Sequence, residues 1–399
     1  MNQTCLEDYR WLIGPDGCQW YARVAEDERS EVAVAAALRR ELSAQRTHLV
    51  LELVELRRRG RTKFADADRM FFTRLGLEQA TDEVVARYKA ARFSGSAVVV
   101  DLCCGLGGDL MALARRGPVL GVDRDRIHAL LARANVGLVA NDSAATVVAG
   151  DATQFAWDAE CSWHIDPDRR AERRRTTRVD RHEPNRESLD TMLDRAPHAA
   201  IKLAPAADVP RAWQARAELE WIGRQRQCRQ LVAWFGRLAR DSGKRRATIL
   251  HDNTPDAEPE IFSVCGAPGR PPSSRGRVRR FVFEPDPAVL AADLTGVLAE
   301  GHVLETLTGG GGCLTADHVI DSPAMACFEV LDTLAFDKRR VKRLLAERGM
   351  GRLEVKSRGV PIRPDAVRRE LRVPGDQSGV LLLVRQAESV TAIVARRVD

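Results

Sequence analysis

The hydrophobic pattern changes character near residue 95. From there on, apolar residues come in short runs that mostly end at an acid or a proline, and amphipathic segments separate the runs. This alternation predicts an α/β fold with an open, mostly parallel, Rossmann-like sheet and helices on both faces. The runs are AVVVD, VLGVD, ATVVAGD, SWHID and AAIKLAP. Because such sheets bind ligands at the carboxyl ends of their strands, the acids that end these runs are candidate site residues.

Residues 1–92 precede this pattern and are predicted to form a helical segment. Between Ser30 and Gly60, apolar residues recur at steps of three and four, which favours one long helix that ends at the glycine. A second helix is predicted within residues 77–93, with Thr81 as its N-cap.

The C-terminal third has its own pattern. Residues 269–280 are rich in Pro, Ser, Gly and Arg and contain no acid, which is typical of a linker. This predicts a catalytic domain over residues 93–268 and a smaller α/β domain over residues 281–399. The segments GRLEVKSRGV, DAVRREL, GVLLLVRQ and VTAIVARR predict a strand, a helix and a closing hairpin in the smaller domain.

Composition narrows the class of protein. The chain has 399 residues, 30% charged and 44% hydrophobic, and no stretch approaches the ~18 uncharged apolar residues of a membrane helix. The N-terminus lacks a basic region followed by an apolar one, so we expect a cytoplasmic protein without a membrane partner. The nine cysteines form no CxxC pair, so we expect them to be reduced thiols. Neither they nor the eight histidines show metal-ligand spacing, so we expect no metal. The net charge of +6 comes almost entirely from arginine.

The segment VVVDLCCGLGGDLMALA predicts a strand followed by a Gly-rich turn and a helix. A dinucleotide site requires the pattern G-x-G-x-x-G. Gly105 and Gly107 match its first two glycines, but the third position holds Leu110, and Asp109 would oppose a phosphate. The ligand is therefore expected to lack a pyrophosphate, which favours S-adenosylmethionine.

Each group of that ligand has a candidate residue. Asp101 would help to hold the methionine ammonium, and the backbone from Cys103 to Gly107 would lie against the ligand. Asp123, 22 residues after Asp101, is within reach of the ribose hydroxyls. Asp151 would accept from the adenine amino group, and the adjacent Ala152 is also expected to contact the cofactor. The alternative is that these acids are turn residues and helix caps, as Asp often is.

On these residues, the segment of about 95–210 resembles the class I S-adenosylmethionine-dependent methyltransferases. The whole chain is similar to actinobacterial-type methyltransferases that carry a C-terminal THUMP-like domain. The catalytic half is also similar to the RNA cap guanine-N2 methyltransferases, and that resemblance implies that Gln79 and Thr81 border the cofactor pocket. The segments that carry the resemblance include KFADADRMFFTRLGLEQATDEVVARYKAARF, VVVDLCCGLGGDLMALARRG, HIDPDRR, IKLAPAADVP and FEPDPAVL.

The acceptor side is expected after the fourth strand. Many methyltransferases that act on exocyclic amines have Asp/Asn-Pro-Pro-aromatic there, and the acid holds the amine. Here Asp166 and Pro167 match, and we expect them to be catalytic, whereas Asp168 and Arg169 replace the second proline and the aromatic residue. Lys202, at the end of the fifth run, is expected to border the same pocket.

Basic residues follow this motif directly. The stretch from Arg169 to Arg186 holds eight arginines against three acids, and Arg169 and Arg170 are candidate substrate contacts. Such a stretch would attract a phosphate backbone, and the alternative is a solvated loop. THUMP domains are associated with RNA binding, so the resemblance implies an RNA partner. The sequence thus predicts methylation of a nucleobase amine in structured RNA such as tRNA or rRNA.

Three alternatives stay open at this point. The chain could be an RNA-binding protein with a methyltransferase-like fold and no catalysis. It could also be a methyltransferase that acts on a small molecule or a protein. A nicotinamide-dependent dehydrogenase is the weakest alternative because of Leu110. The oligomeric state is not predicted.

Overall fold

The computed structural model describes residues 3–93, 97–140, 144–171, 174–252, 258–269, 277–307, 312–386 and 389–398. The chain forms two compact units. One comprises Met1–Ala217 with Val232–Ser242, and the other comprises Glu218–Leu231 with Gly243–Asp399. The first break between them therefore lies at residues 217 and 218, upstream of the linker predicted at residues 269–280, of which residues 270–276 fall outside the described part.

Six helices open the first unit. They are α1 (Gln3–Ile13), α2 (Pro15–Ala25), α3 (Glu31–Leu38), α4 (Ala44–Gly60), α5 (Arg74–Gln79) and α6 (Glu83–Ala90). The helical segment predicted for residues 1–92 is thus present, but the single long helix from Ser30 to Gly60 is wrong. Ser30 and Ser43 each accept a backbone N–H three residues on, so each begins its own helix.

The predicted N-cap of α6 is also wrong by one residue. Asp82 occupies the N-cap position, and its carboxylate accepts from the Val85 N–H at 3.2 Å. Thr81 does not cap the helix because its hydroxyl is bonded to other side chains.

The α/β part of the first unit follows. Its elements are β1 (Val99–Leu102), α7 (Gly108–Ala114), β2 (Val119–Asp123), α8 (Arg126–Val136), β3 (Ala145–Ala149), β4 (Ser162–Ile165), β5 (Arg170–Ala171), β6 (Arg174–Arg175), α9 (Arg186–Arg195), β7 (Ala199–Leu203) and α10 (Arg211–Arg216). The five longer strands lie in the order β3-β2-β1-β4-β7, and every neighbouring pair is parallel. The predicted α/β fold with a mostly parallel sheet is confirmed.

This strand order brings two chain segments together. β1 and β4 are neighbours in register, with Leu102 opposite Ile165. The turn that follows β1 and the residues that follow β4 therefore emerge side by side at the carboxyl edge of the sheet.

The second unit contains most of the remaining strands. Its elements are β8 (Glu218–Arg224), β9 (Gln227–Trp234, shared by both units), β10 (Arg245–His251), β11 (Glu260–Gly266), β12 (Phe281–Pro285), α11 (Pro287–Ala291), α12 (Thr295–Gly301), β13 (Glu305–Thr306), β14 (Leu314–Ala316), β15 (Met325–Ala335), α13 (Lys338–Glu347), β16 (Arg352–Arg358), α14 (Pro364–Glu370), β17 (Ser378–Gln386) and β18 (Ser389–Val398).

A seven-stranded sheet forms the C-terminal part of this unit, in the order β13-β14-β12-β15-β18-β17-β16. The predicted strand, helix and hairpin correspond to β16, α14 and the antiparallel pair β17–β18. Val341 and Leu345 of α13 and Val367 of α14 share a buried cluster with Leu381 and Leu383 of β17. These two helices therefore cover one face of the sheet.

Candidate functional site

The turn between β1 and α7 has a backbone that only small or permissive residues adopt readily. Cys103, Gly105 and Gly107 all have positive φ angles, of 54°, 57° and 85°. A Cβ on Gly105 would meet no atom within 4 Å, so the turn faces open space there. This is a cradle in which a ligand can approach the backbone.

The residue that replaced the third glycine has a packing function. Leu110 on α7 is fully buried, and a Cβ on Gly121 of β2 would lie 2.8 Å from one of its methyl groups. The helix therefore approaches the sheet with the small residue on the strand and the large one on the helix. Leu110 is compatible with the turn and incompatible with the dinucleotide pattern.

Asp123, at the end of β2, is bonded directly to the turn. Its Oδ2 accepts from the Gly105 N–H at 2.8 Å, and its Oδ1 accepts from the Asp125 N–H at 2.9 Å. The predicted ribose acid and the predicted cradle are therefore adjacent, as the parallel β1–β2 pairing requires.

A buried polar side chain from α8 holds the other side of the turn. The Asn135 amide donates to the carbonyl of Leu106 at 2.9 Å and to that of Phe71 at 3.0 Å, and it accepts from the Phe71 N–H at 2.7 Å. Sequence reasoning missed Asn135, because a single Asn in an amphipathic helix carries no distinctive signal.

Beneath the turn, buried side chains form a polar chain that begins at Asp101. His164 Nδ1 lies 2.7 Å from Asp101 Oδ1, and Lys89 Nζ lies 3.2 Å from His164 Nε2. Lys89 Nζ is also 2.7 Å from Asp109 Oδ1. In this arrangement, His164 Nδ1 is placed to donate to the Asp101 carboxyl group, and His164 Nε2 lies against the Lys89 amine.

The same series of contacting side chains continues to Asp166, in the predicted acceptor motif Asp166-Pro167. The Thr81 hydroxyl donates to Asp109 Oδ2 at 2.8 Å and accepts from Lys202 Nζ at 2.9 Å. Lys202 Nζ in turn donates to Asp166 Oδ2. A continuous set of contacts therefore joins Asp101 at the end of β1 to Asp166 after β4.

Burial sets the charge states along this polar chain. Burial raises the pKa of Asp101, although His164 opposes the shift, and burial lowers the pKa of Lys89, although Asp109 opposes that shift. Burial alone would also raise the pKa of Asp109, but the charges of Lys89, His164 and Lys202 outweigh it and hold that pKa below the usual range. Asp109 is therefore a charged partner of Lys89, and its charge is compensated inside the protein.

Asp166 differs from the rest of the polar chain in its exposure. Its side chain is 26% exposed, whereas that of Lys202 is 7% exposed. Lys202 is predicted to border the substrate pocket, and its ammonium donates hydrogen bonds to Asp166 and Thr81. Asp166 therefore keeps one carboxylate oxygen, Oδ1, outside the contact with Lys202.

The Arg-rich stretch after Pro167 is tied at both ends. Asp168 and Glu183 exchange two backbone hydrogen bonds of 2.9 Å, and Arg124 forms an ion pair with Glu183. Between them lie β5, β6 and a 3-10 turn at Val179–Arg181. Arg169 is half-buried, and the side chain of Arg170 lies outside the described part.

The remaining predicted residues have less distinctive positions. Gln79 is exposed at the end of α5, and Ala152 is buried. Asp151 is exposed, and its Oδ1 accepts from the backbone and the hydroxyl of Thr153, each at 2.8 Å. Asp151 thus closes its own turn, and its contact with an adenine stays a prediction.

This geometry can be compared with known proteins. Curated proteins from two strains of Mycobacterium tuberculosis, each named an uncharacterized S-adenosylmethionine-dependent methyltransferase, are 32% identical to this chain over 370 residues. The similarity covers 87% of this chain and 96% of each relative. The chain belongs to the S-adenosylmethionine-dependent methyltransferases. The predicted enzyme class and the predicted cofactor, S-adenosylmethionine, are confirmed.

Two family models match parts of this methyltransferase. A THUMP domain-like model matches residues 325–397, and a model of a domain of unknown function matches residues 5–60. The first match runs from β15 to β18 and confirms the predicted THUMP-like C-terminal domain. The second covers the helices α1 to α4.

A solved structure supports the fold over the full length. A candidate methyltransferase from Porphyromonas gingivalis W83 matches with a TM-score of 0.76 at 20% identity, covering 100% of this chain and 99% of that one. At this level of identity the match establishes the fold.

Two features of the methyltransferase fit its cofactor. Asp101 Oδ2 is buried and has no hydrogen-bond partner among the described residues, and Gly105 leaves space where any other residue would place a Cβ. A carboxyl oxygen without a protein partner beneath an open backbone cradle suits a cationic amino-acid group. S-adenosylmethionine supplies a methyl group activated by a sulfonium, and the backbone from Cys103 to Gly107 with Asp101 and Asp123 would hold it.

Cys103 and Cys104 are inert in this arrangement. Burial raises the pKa of both thiols, and the nearby carboxylates raise it further. The part of the chain that the structure describes holds no group of three His, Cys, Asp or Glu side chains arranged for a metal. None of its helices is both long and apolar enough to span a bilayer.

Proposed function

We propose that this methyltransferase transfers its methyl group to a nucleobase amine in structured RNA, with Asp166 and Pro167 at the acceptor. The observation that carries the proposal is the position of Asp166. Its backbone N–H lies 3.4 Å from the Leu102 carbonyl at the start of the donor turn, and Lys202 occupies one of its two carboxylate oxygens.

This arrangement suits an acceptor that has an N–H group. The lysine-bound carboxylate is fixed in orientation, and its Oδ1 can accept one N–H of an exocyclic amine. The nitrogen lone pair is then free to point at the methyl group. Transfer requires mainly this alignment, because positioning supplies most of the catalysis in such a displacement.

The RNA part of the proposal is supported by charge in the second unit. Four exposed cations of α13 have no ion-pair partner in the described part of the chain, whereas the flanking Lys338 pairs with Glu370 and Arg348 pairs with Asp332. Unpaired cations on one helix are available to a phosphate backbone. They are Arg339, Arg340, Lys342 and Arg343. The THUMP-like match of this region agrees with RNA as the partner.

The test is methyl transfer in vitro from labelled S-adenosylmethionine to total RNA isolated from cells that lack this protein. We expect RNase-sensitive label with the wild type. Asp166→Ala should reduce transfer by 100-fold or more while the dissociation constant for S-adenosylmethionine stays unchanged. Asp158→Ala, at an exposed turn, is the matched control and should keep full activity.

Two results would contradict the proposal. RNase-resistant label would indicate a protein or small-molecule acceptor. Absence of label with every RNA fraction, while S-adenosylmethionine still binds, would indicate a protein without RNA methyltransferase activity.

A further inference from the structure

An ion pair joins the two sides of the donor turn. Arg124 follows β2 directly, Glu183 lies in the segment that follows Asp166-Pro167, and the Arg124 guanidinium donates to the Glu183 carboxylate. In the sheet, β1 lies between β2 and β4, and all three strands are parallel. A contact from the end of β2 to the segment after β4 therefore crosses the end of β1, where the turn from Cys103 to Gly107 begins.

The Arg124 end of this ion pair has a fixed backbone. On one side, Asp123 accepts from the Gly105 N–H of the donor turn at 2.8 Å. On the other side, Asp125 caps α8 by accepting from the Ile127 N–H at 2.8 Å. The side chain of Arg124 therefore starts from a defined point between the donor turn and the beginning of a helix.

The Glu183 end is tied to the acceptor motif. Glu183 and Asp168 exchange two backbone hydrogen bonds of 2.9 Å, and Asp168 comes two residues after Asp166. The Asp166 N–H lies 3.4 Å from the Leu102 carbonyl, directly ahead of the donor turn. Separation of Glu183 from Arg124 would therefore let the acceptor motif move away from the turn.

The exposure of the ion pair makes it a contact that can open. The side chain of Arg124 is 58% exposed and that of Glu183 is 66% exposed. An exposed ion pair changes an equilibrium constant by only about two- to fivefold, and salt screens it. A buried ion pair would be far more costly to break. The contact can thus favour a closed arrangement without locking it.

We propose that the ion pair of Arg124 with Glu183 is a strap across the donor turn, which opens to admit and to release S-adenosylmethionine. The proposal rests on the donor turn as the cofactor site, and it is independent of the acceptor. When the strap is closed, Asp123 and the acceptor motif are held on opposite sides of the turn. When it opens, the segment after β4 can move aside and the cofactor can pass.

The test is the rate at which labelled S-adenosylmethionine leaves the full-length protein after rapid mixing with an excess of unlabelled cofactor. Arg124→Gln and Glu183→Gln should each speed release by about two- to fivefold. Association should become faster as well, because the same opening admits the cofactor, so the dissociation constant should change less than either rate. Arg61→Gln, which breaks an equally exposed ion pair with Asp68, is the matched control and should release at the wild-type rate.

Exchange of the charges separates the strap from other roles of the two residues. Arg124→Glu places two acids opposite each other and should speed release more than Arg124→Gln does. The double variant Arg124→Glu with Glu183→Arg rebuilds the ion pair with reversed polarity, so its release should be slow again. Added salt should speed release from the wild type and leave Glu183→Gln unchanged, since only the wild type has an ion pair to screen.

Three results would overturn the strap. Wild-type release rates in both glutamine variants would show that the ion pair does not control passage. Faster release from Arg124→Gln alone would indicate that Arg124 acts on the cofactor directly. Fast release from the charge-exchanged variant would exclude the pairing itself. Because these measurements use the cofactor alone, a failure of the strap leaves the proposed function standing, and a failure of methyl transfer to RNA leaves the strap standing.

Discussion

At the scale of single residues, Asp123 has both a structural and a proposed binding contact. Its Oδ2 holds the Gly105 N–H, and its remaining lone pairs are available to two ribose hydroxyls. The sequence pointed to Asp123 because an acid at the end of the second strand lies beside the Gly-rich turn in any parallel sheet of this kind.

We expect Asp123→Ala to weaken S-adenosylmethionine binding by roughly 10- to 100-fold, since hydrogen bonds to a charged group contribute about 1.5–3 kcal/mol. Isothermal titration calorimetry measures this directly. Asp158→Ala serves as the control, because its carboxylate caps an exposed turn. An unchanged affinity would remove Asp123 from the ribose site.

The buried polar chain was missed at this scale, although part of its signal was present. Lys89 follows Val85 by four positions on the buried face of α6, where a lysine is out of place, and His164 lies inside a buried strand. Those irregularities mark polar residues that require buried partners. Which partners they find depends on the fold, so the link from Asp101 to Asp166 could not be predicted.

At the scale of elements, α6 and α7 are joined by the ion pair of Lys89 with Asp109. Both residues are almost fully buried, so each charge depends on the other. The predicted strands correspond closely to β1, β2, β3, β4 and β7. Short apolar runs that end at an acid or a proline are typical of buried parallel strands. The predicted long helix failed because the cap at Ser43 is a local hydrogen bond that the apolar periodicity does not reveal.

Lys89→Met should lower the free energy of unfolding by about 3–5 kcal/mol, since it removes the ion-pair partner of the buried Asp109 carboxylate. Urea unfolding followed by tryptophan fluorescence measures the loss. The double variant Lys89→Met with Asp109→Asn should lose less than the single variant, because it buries no unpaired charge. Lys342→Met, at an exposed position, is the control; equal losses in the single and double variants would contradict this account.

The exposed arginines and lysine of α13 lie on the face opposite its buried Val341 and Leu345, and we expect them to bind the RNA backbone. Arg339→Ala with Arg340→Ala should weaken RNA binding and reduce the slope of log affinity against log salt by about 0.7–0.9 for each lost phosphate contact. Filter binding at several salt concentrations checks it. The matched control is Arg39→Ala with Arg40→Ala, an exposed arginine pair after α3. If both pairs have the same effect, α13 does not bind the RNA backbone.

At the scale of the whole molecule, the alternation of apolar runs and amphipathic segments predicted the α/β fold. The resemblance to class I methyltransferases with a THUMP-like C-terminal domain predicted the enzyme class and that domain, and all three predictions are confirmed. The compact units were harder to anticipate. The predicted linker at residues 269–280 places residues 218–231 and 243–268 in the catalytic domain, but they group with the C-terminal unit. Sequence periodicity identifies strands, and it does not specify which neighbours they pack against.

The most direct test of the central claim, methyl transfer to a nucleobase amine in RNA, is nucleoside mass spectrometry of cellular RNA. We would compare cells that lack the protein with the same cells complemented by the wild type or by Asp166→Ala. The account predicts that one base-methylated nucleoside disappears in the deletion, returns with the wild type and stays absent with Asp166→Ala. Identical methylated nucleosides in all three would contradict it.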